Sequence, residues 1–126
     1  MTEPKSNATS RKSPPIQELI TDLLDRWNVT DEEAMAILGS MPIETLHLWK
    51  NGNYGHIDDL LSGRISQILN IHKALLIIFN DDARCYSWIK AKNKTFDGLS
   101  ALDILKQGSV KDTARIRCYL DSISAA

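Results

Sequence analysis

The polar side chains that could do chemistry in this sequence are scattered, and none of them combine into a recognised catalytic or metal-binding set. The three histidines, His47, His56 and His72, lie far apart along the chain. Neither a glycine-rich phosphate loop nor a nucleophile elbow occurs. Asp81 and Asp82 form an acidic pair, but capping of a helix explains them without a metal. The sequence therefore predicts a protein that binds partners, with no enzyme activity, cofactor or metal.

A second set of polar residues follows Gly39 and has the chemistry of a helix that reads DNA. His47 and Asn51 can donate hydrogen bonds to base edges, and Lys50 suits a phosphate or a guanine. Outward positions of the same helix complete the set. The candidate DNA-binding residues are Ser40, Ile43, Glu44, His47, Lys50 and Asn51.

Three predicted helices position these residues. Apolar residues at three- and four-residue spacing predict a helix over 15–27. Thr30 and Glu33 match a capping box for a helix over 32–38, which ends at Gly39. Pro42 suits the first position of a third helix over 43–50, with Ser40 or Met41 as its cap. Two short helices joined by a glycine turn and braced by a preceding helix predict a helix-turn-helix.

The charge of this first segment leaves its role open. Residues 1–56 contain five basic and eight acidic side chains, the wrong sign for phosphate attraction. Acidic residues such as Asp22, Asp25 and Asp31 to Glu33 could lie on the face away from DNA. The alternative is a helix-turn-helix used only for packing or dimerisation.

The second half of the chain is arranged around a long apolar segment. Spacing predicts a central helix over 64–79 that is apolar on every side from Ala74 to Phe79. Such a helix is buried in a core or against another chain, and it is too short for the about 20 apolar residues that a membrane span needs. A helix carrying Trp88 follows, and then a lysine-rich turn, 90–94. That turn is either a solvated loop or a positively charged surface for an acidic partner.

Composition and length describe a small globular protein. The chain has 126 residues, a formal net charge of −1 and 43% hydrophobic residues. The two cysteines, Cys85 and Cys118, are expected to be reduced, as is usual in the cytoplasm. We predict an all-α fold in three parts: a flexible arm (1–14), a helix-turn-helix domain (15–56) and a second helical domain (57–126). The arm is either a solvated tail or a basic extension that contacts DNA.

Both halves resemble one known family. The second half contains, in order, Arg64, Ile68-Leu69, Ile71, Leu75, Phe79, Trp88-Ile89, Asn93, Gly98-Leu99-Ser100 and Leu102-Asp103-Ile104-Leu105. This order resembles the toxin-binding domain of the Xre/MbcA/ParS antitoxins. The residues Glu33-Ala34, Leu38-Gly39, Thr45-Leu46 and Trp49-Lys50-Asn51-Gly52 resemble the helix-turn-helix that precedes it in that family.

The resemblance implies a cytoplasmic bacterial type II antitoxin whose partner carries a RES domain, a fold that consumes NAD. Its carboxy-terminal domain would cover the toxin's active site, and its amino-terminal domain would bind operator DNA and repress the operon. A homodimer or a larger toxin–antitoxin assembly is expected. Candidate toxin-binding residues come from the helix and turn around Trp88 and from the last helix: Trp88, Lys90, Lys92, Asn93, Lys94, Phe96, Arg115, Arg117, Ser122 and Ser124.

A different class of function also fits the sequence. A stand-alone helix-turn-helix regulator would use its second half only for dimerisation. A RES-domain gene next to this one would favour the antitoxin, and its absence would favour the regulator.

Overall fold

The computed structural model describes residues 14–109 and 111–125, and nearly all regular structure in these residues is helical. The predicted arm lies outside the described residues, apart from Pro14. The α-helices are α1 (Ile16–Arg26), α2 (Asp31–Ile37), α3 (Ile43–Lys50), α4 (Asp59–Phe79), α5 (Asp82–Lys90), α6 (Ala101–Lys106) and α7 (Asp112–Ala125). The predicted all-α class is confirmed.

In the described residues, the only regular structure that is not helical is a short pair of strands, which begins in the lysine-rich turn. Strands β1 (Lys92–Asn93) and β2 (Leu99–Ser100) pair antiparallel, with Lys92 opposite Ser100 and Asn93 opposite Leu99. A short 3₁₀ turn, Lys94–Phe96, joins them. The sequence predicted no strands in this segment, because two-residue strands have no apolar alternation to detect.

Local sequence signals set the first three helices. Thr30 and Glu33 form the predicted capping box: the Glu33 amide donates to the Thr30 hydroxyl (3.1 Å), and the Thr30 amide donates to the Glu33 carboxylate (2.9 Å). The predicted bounds of α3 are confirmed, but its cap is Pro42, not Ser40 or Met41. Ser40 has a positive φ of 67° and belongs to the turn.

Glu33 also ties α2 to α6, since its carboxylate accepts a hydrogen bond from Lys106 Nζ (3.1 Å). The bond from the Thr30 amide, followed by that from Lys106, holds the pKa of Glu33 below its ordinary value. A lowered folded-state pKa adds stability above the unfolded pKa, about 4.3, and this is lost as the pH falls through the folded value.

We therefore expect Glu33→Gln, which keeps a side chain able to cap, to lower the free energy of unfolding by about 0.5 kcal/mol near pH 7. The difference from the wild type should shrink on acidification below the unfolded pKa and be absent at a pH below the lowered folded-state pKa. Urea unfolding at the two pH values measures this. A deficit of equal size at both would mean that the Glu33 charge contributes nothing.

The central helix α4 begins at Asp59, earlier than the predicted Arg64. The Asp58 side chain caps it by accepting from the Leu61 amide (2.8 Å), a signal that the apolar pattern alone did not reveal. Ile65, Ile68, Ile71 and Leu75 are fully buried, and α4 packs against α1, α5 and α7. Ile77 is 79% exposed in this chain, so for this residue the predicted burial in the core is wrong and burial against another chain stays a prediction.

A single hydrophobic core spans the described part of the chain. Buried residues of α1–α3 and of α4–α7 belong to one cluster, and α1 packs on α4 while α2 packs on α6. The domain boundary between residues 56 and 57 stays a prediction.

Arg64 joins three helix ends at the centre of this arrangement. Its Nε donates to the Ile37 carbonyl at the end of α2, and Nη2 donates to the Leu105 carbonyl near the end of α6 (3.0 Å). Both Nη atoms bond the Asp112 carboxylate at the start of α7, each at 3.0 Å. The guanidinium thus donates to carbonyls at two helix ends, where intrahelical donors run out, and the Leu105 carbonyl also accepts from the Gly108 amide (3.1 Å).

Within residues 14–109 and 111–125, no helix combines the length and apolar character needed to cross a bilayer. In the same residues, no three histidine, cysteine or acidic side chains are grouped so that they could hold a metal ion.

Candidate functional site

The exposed side of α3 forms one continuous stripe. Glu44, His47, Leu48 and Asn51 recur at the spacing of one helix face, and all four are exposed. We call these four residues the α3 face. Leu48 was not among the predicted contacts, although it is 52% exposed. The buried Leu46 and Trp49 hold the opposite side of α3 against the core.

Two of the candidate DNA-binding residues on α3, Lys50 and His47, already contact one carboxylate. Lys50 Nζ lies 2.7 Å from Asp31 Oδ1, and His47 Nε2 lies 3.3 Å from Asp31 Oδ2. Asp25 lies 3.7 Å from the same Lys50 nitrogen. The hydrogen bond from Lys50, followed by that from His47, lowers the pKa of Asp31, and the bond to Asp31 raises the pKa of Lys50.

Two of the acidic side chains that could have lain away from the predicted DNA-reading helix, Asp25 and Asp31, contact it instead. Both lie within ion-pair distance of Lys50. Asp31 is the first residue of α2 and Lys50 the last of α3, so the packing of α2 on α3 brings them together. Ile43 is half-buried and Ser40 is exposed in the turn, so the six candidates differ in accessibility.

A second surface is built on three aromatic rings from three elements. Trp88 of α5 stacks on Tyr119 of α7 with ring centroids 6.2 Å apart, and Phe96 meets Tyr119 edge-on at 5.3 Å. We call these three residues the aromatic cluster. Phe96 is 1% exposed, so it cannot serve as an exposed anchor for a partner and instead packs the other two rings in place.

Positive side chains surround the aromatic cluster. The Arg115 guanidinium lies 5.5 Å above the Phe96 ring centroid and 3.3 Å from Asp97. The side chains of Lys90, Lys92 and Lys94 are exposed in the adjoining turn. Asn93 is half-buried, and its side chain accepts a hydrogen bond from the Thr95 amide (2.9 Å), which fixes the turn.

Three further candidates lie on α7, of which Ser122 and Ser124 are exposed and Arg117 is half-buried, and all three are engaged within their own helix. Arg117 lies 3.5 Å from Asp121, Ser122 donates to the Tyr119 carbonyl (2.7 Å), and Ser124 donates to the Leu120 carbonyl (3.1 Å). Tyr119, which lies between Arg117 and Ser122 on α7, is itself a member of the aromatic cluster. Of the predicted toxin-binding residues, the structure brings together Trp88, Phe96 and Arg115.

An open, mostly apolar cleft of about 310 Å³ adjoins Trp88. Its lining consists of Phe79, Arg84, Ser87, Trp88 and Ala91. No residue of this cleft except Trp88 was among the predicted contacts. The sequence holds no signal for it, because the cleft depends on how the end of α4 meets α5.

The molecule is thus a small helical protein with two exposed surfaces: the α3 face, and a cationic region around the aromatic cluster. A model of the antitoxin Xre/MbcA/ParS C-terminal toxin-binding domain matches residues 74–125, which include the whole of the second surface. A protein of Sinorhizobium fredii (strain NBRC 101917 / NGR234), described as "Uncharacterized protein y4oB", is 37% identical over 126 residues, covering 97% of each chain. No solved structure matches the chain.

This chain belongs to the Xre/MbcA/ParS antitoxin family. Its carboxy-terminal part is a toxin-binding domain, and the partner of that domain is a toxin.

Proposed function

We propose that the protein is a type II antitoxin that neutralises a RES-domain, NAD-consuming toxin by covering the entrance to its active site. The observation that carries the proposal is the coincidence of the matched toxin-binding domain with the exposed cationic surface around Trp88 and Tyr119. Steric coverage needs no chemistry from the antitoxin. It requires a stable surface, and the buried Phe96 supplies one by fixing the two neighbouring rings.

The cationic character of this surface supports an acidic partner surface at the toxin's entrance. Complementary charge would raise the association rate and select the cognate toxin. Trp88, which is half-buried, would add apolar contact of the kind that dominates interface energies. Both partners would act in the cytoplasm, where the toxin's substrate NAD is consumed.

Co-expression with a RES-domain toxin tests the proposal, which predicts that the gene beside this one encodes that toxin. We expect the pair to co-purify as one complex and the antitoxin to restore both growth and cellular NAD. A catalytically inactive toxin should still co-purify, since its surface is unchanged. Normal binding with unrelieved NAD loss would contradict coverage of the active site, and failure to bind would contradict the toxin assignment.

We further propose that the amino-terminal helices bind operator DNA and repress the antitoxin's own operon. The tight turn between α2 and α3 and the exposed polar stripe of the α3 face support this reading. Asn51 and His47 offer donors for base edges. The negative charge around Lys50 implies that one copy binds weakly, and that affinity depends on several copies bound together.

Two exposed apolar side chains on α4 support self-association of the protein. Leu60 is 82% exposed and Ile77 is 79% exposed, and the two lie near opposite ends of the same helix. Burial of large apolar side chains is the main driving force for association. We propose a homodimer or a larger assembly with toxin on this basis.

A further inference from the structure

One carboxylate from α2 contacts both Lys50 and His47 of α3. The only lysine or arginine of α3 is Lys50, and its ammonium group is bound to Asp31 at 2.7 Å. The other oxygen of the same carboxylate is occupied by His47 at 3.3 Å. A single acidic side chain therefore engages both residues of α3 that could contact a phosphate.

From this geometry we infer that Asp31 acts as an internal substitute for a DNA phosphate and holds down the DNA affinity of the α3 face. The inference rests on the proposed operator binding and names the residue that limits it. Asp31 accepts hydrogen bonds from a lysine and a histidine, as a phosphate oxygen would. DNA must displace this carboxylate and then remain beside its negative charge.

Two further carboxylates increase the effect. Asp25 lies 3.7 Å from Lys50 Nζ, and Glu44 is exposed on the α3 face itself. Lys50 is thus outnumbered by carboxylates at the position where phosphates would approach. Phosphate attraction supplies most sequence-independent affinity, so a duplex gains little from this face while Asp31 is ionised.

Asp31 has no required part in building α2, which makes it suitable for substitution. The helix start is satisfied by the Thr30 side chain and by Glu33, the two members of the capping box. Asp31 follows the cap as the first residue of α2, and Glu32 is exposed in the same first turn. Asp31→Asn and Glu32→Gln therefore remove one negative charge from the same turn, but only the first releases Lys50 and His47.

The experiment measures binding of the full chain and these two variants to the DNA upstream of its gene and to a mixed-sequence duplex, across a salt series. We expect Asp31→Asn to bind both duplexes roughly five- to tenfold more tightly at low salt, with the slope of log affinity against log salt steeper by about one phosphate contact. Glu32→Gln should stay within about twofold of the wild type, as expected for an exposed charge that no α3 cation contacts. Thermal melting confirms that all three chains are folded.

Three other outcomes overturn the inference. If the wild type binds and both variants gain equally, only bulk charge matters and Asp31 has no special role. If the wild type binds and Asp31→Asn gains nothing, the carboxylate does not compete with phosphate. If neither the wild type nor Asp31→Asn binds any duplex at low salt, the proposed operator binding fails along with it, whereas toxin neutralisation is unaffected.

Discussion

Replacement of Arg64 by alanine should lower the free energy of unfolding by about 3–5 kcal/mol, the cost of leaving a buried charge without its partner. The Asp112 side chain is 1% exposed and that of Arg64 is 13% exposed, so water cannot replace the two 3.0 Å bonds between them. The carbonyls of Ile37 and Leu105 lose a donor at the same time. A domain of this size is stable by only about 5–15 kcal/mol.

Urea unfolding of Arg64→Ala, Arg64→Lys and Arg26→Ala measures this expectation. Lysine restores a positive charge but not the planar set of donors, so Arg64→Lys should recover only part of the loss. Arg26 pairs with Asp22 at 3.2 Å on the surface, with both side chains more than half exposed, and its replacement should cost less than about 1 kcal/mol. Equal losses for Arg64→Ala and Arg26→Ala would show that the junction of the three helix ends contributes nothing beyond an exposed pair.

A variant of Asp112 distinguishes the charge of this ion pair from its hydrogen bonds. Asp112→Asn removes the buried charge but keeps a side chain that can bond Arg64. We expect it to be less destabilising than Arg64→Ala, since the guanidinium that loses its counter-charge still donates to the carbonyls of Ile37 and Leu105. If Asp112→Asn lowered the free energy of unfolding more than Arg64→Ala, the contacts of the Asp112 carboxylate would contribute most of the stability.

Reversal of the three charges in the lysine-rich turn, Lys90, Lys92 and Lys94 to glutamate, should weaken toxin binding at least about 100-fold, or about 2.7 kcal/mol. All three side chains are exposed at the edge of the aromatic cluster. Like charges brought together across an interface cost several kcal/mol. Growth rescue on co-expression and calorimetric titration of an inactive toxin would measure the loss.

Two control variants make this test specific to the surface. Replacement of the same lysines by arginine keeps the charge and should preserve neutralisation. Lys73→Glu reverses an exposed charge on α4 and should have little effect. Unchanged neutralisation by the triple glutamate variant would mean that the toxin contacts another face. Deletion of α7 would be a poor substitute, because it also removes the buried Ile116, Leu120 and Asp112.

The structural features that could be predicted from the sequence are those that depend on residues close together in the chain. The Thr30–Glu33 capping box and the bounds of α3 follow from contacts three or four residues apart. The Ser100 cap of α6 follows in the same way, with Asp103 completing the box. The order of motifs was enough to indicate the family, which the match at residues 74–125 confirmed.

Features that depend on distant neighbours were decided only by the tertiary structure. Whether Lys50 faces DNA freely or holds Asp31 depends on how α2 packs on α3, and no local pattern encodes a contact 19 residues apart. The same holds for Arg64 and Asp112, which are 48 residues apart, and for Phe96, whose burial comes from rings of α5 and α7. The physical reason is that helix formation and capping are short-range, whereas the exposure and pairing of a side chain depend on which surfaces meet when the helices pack.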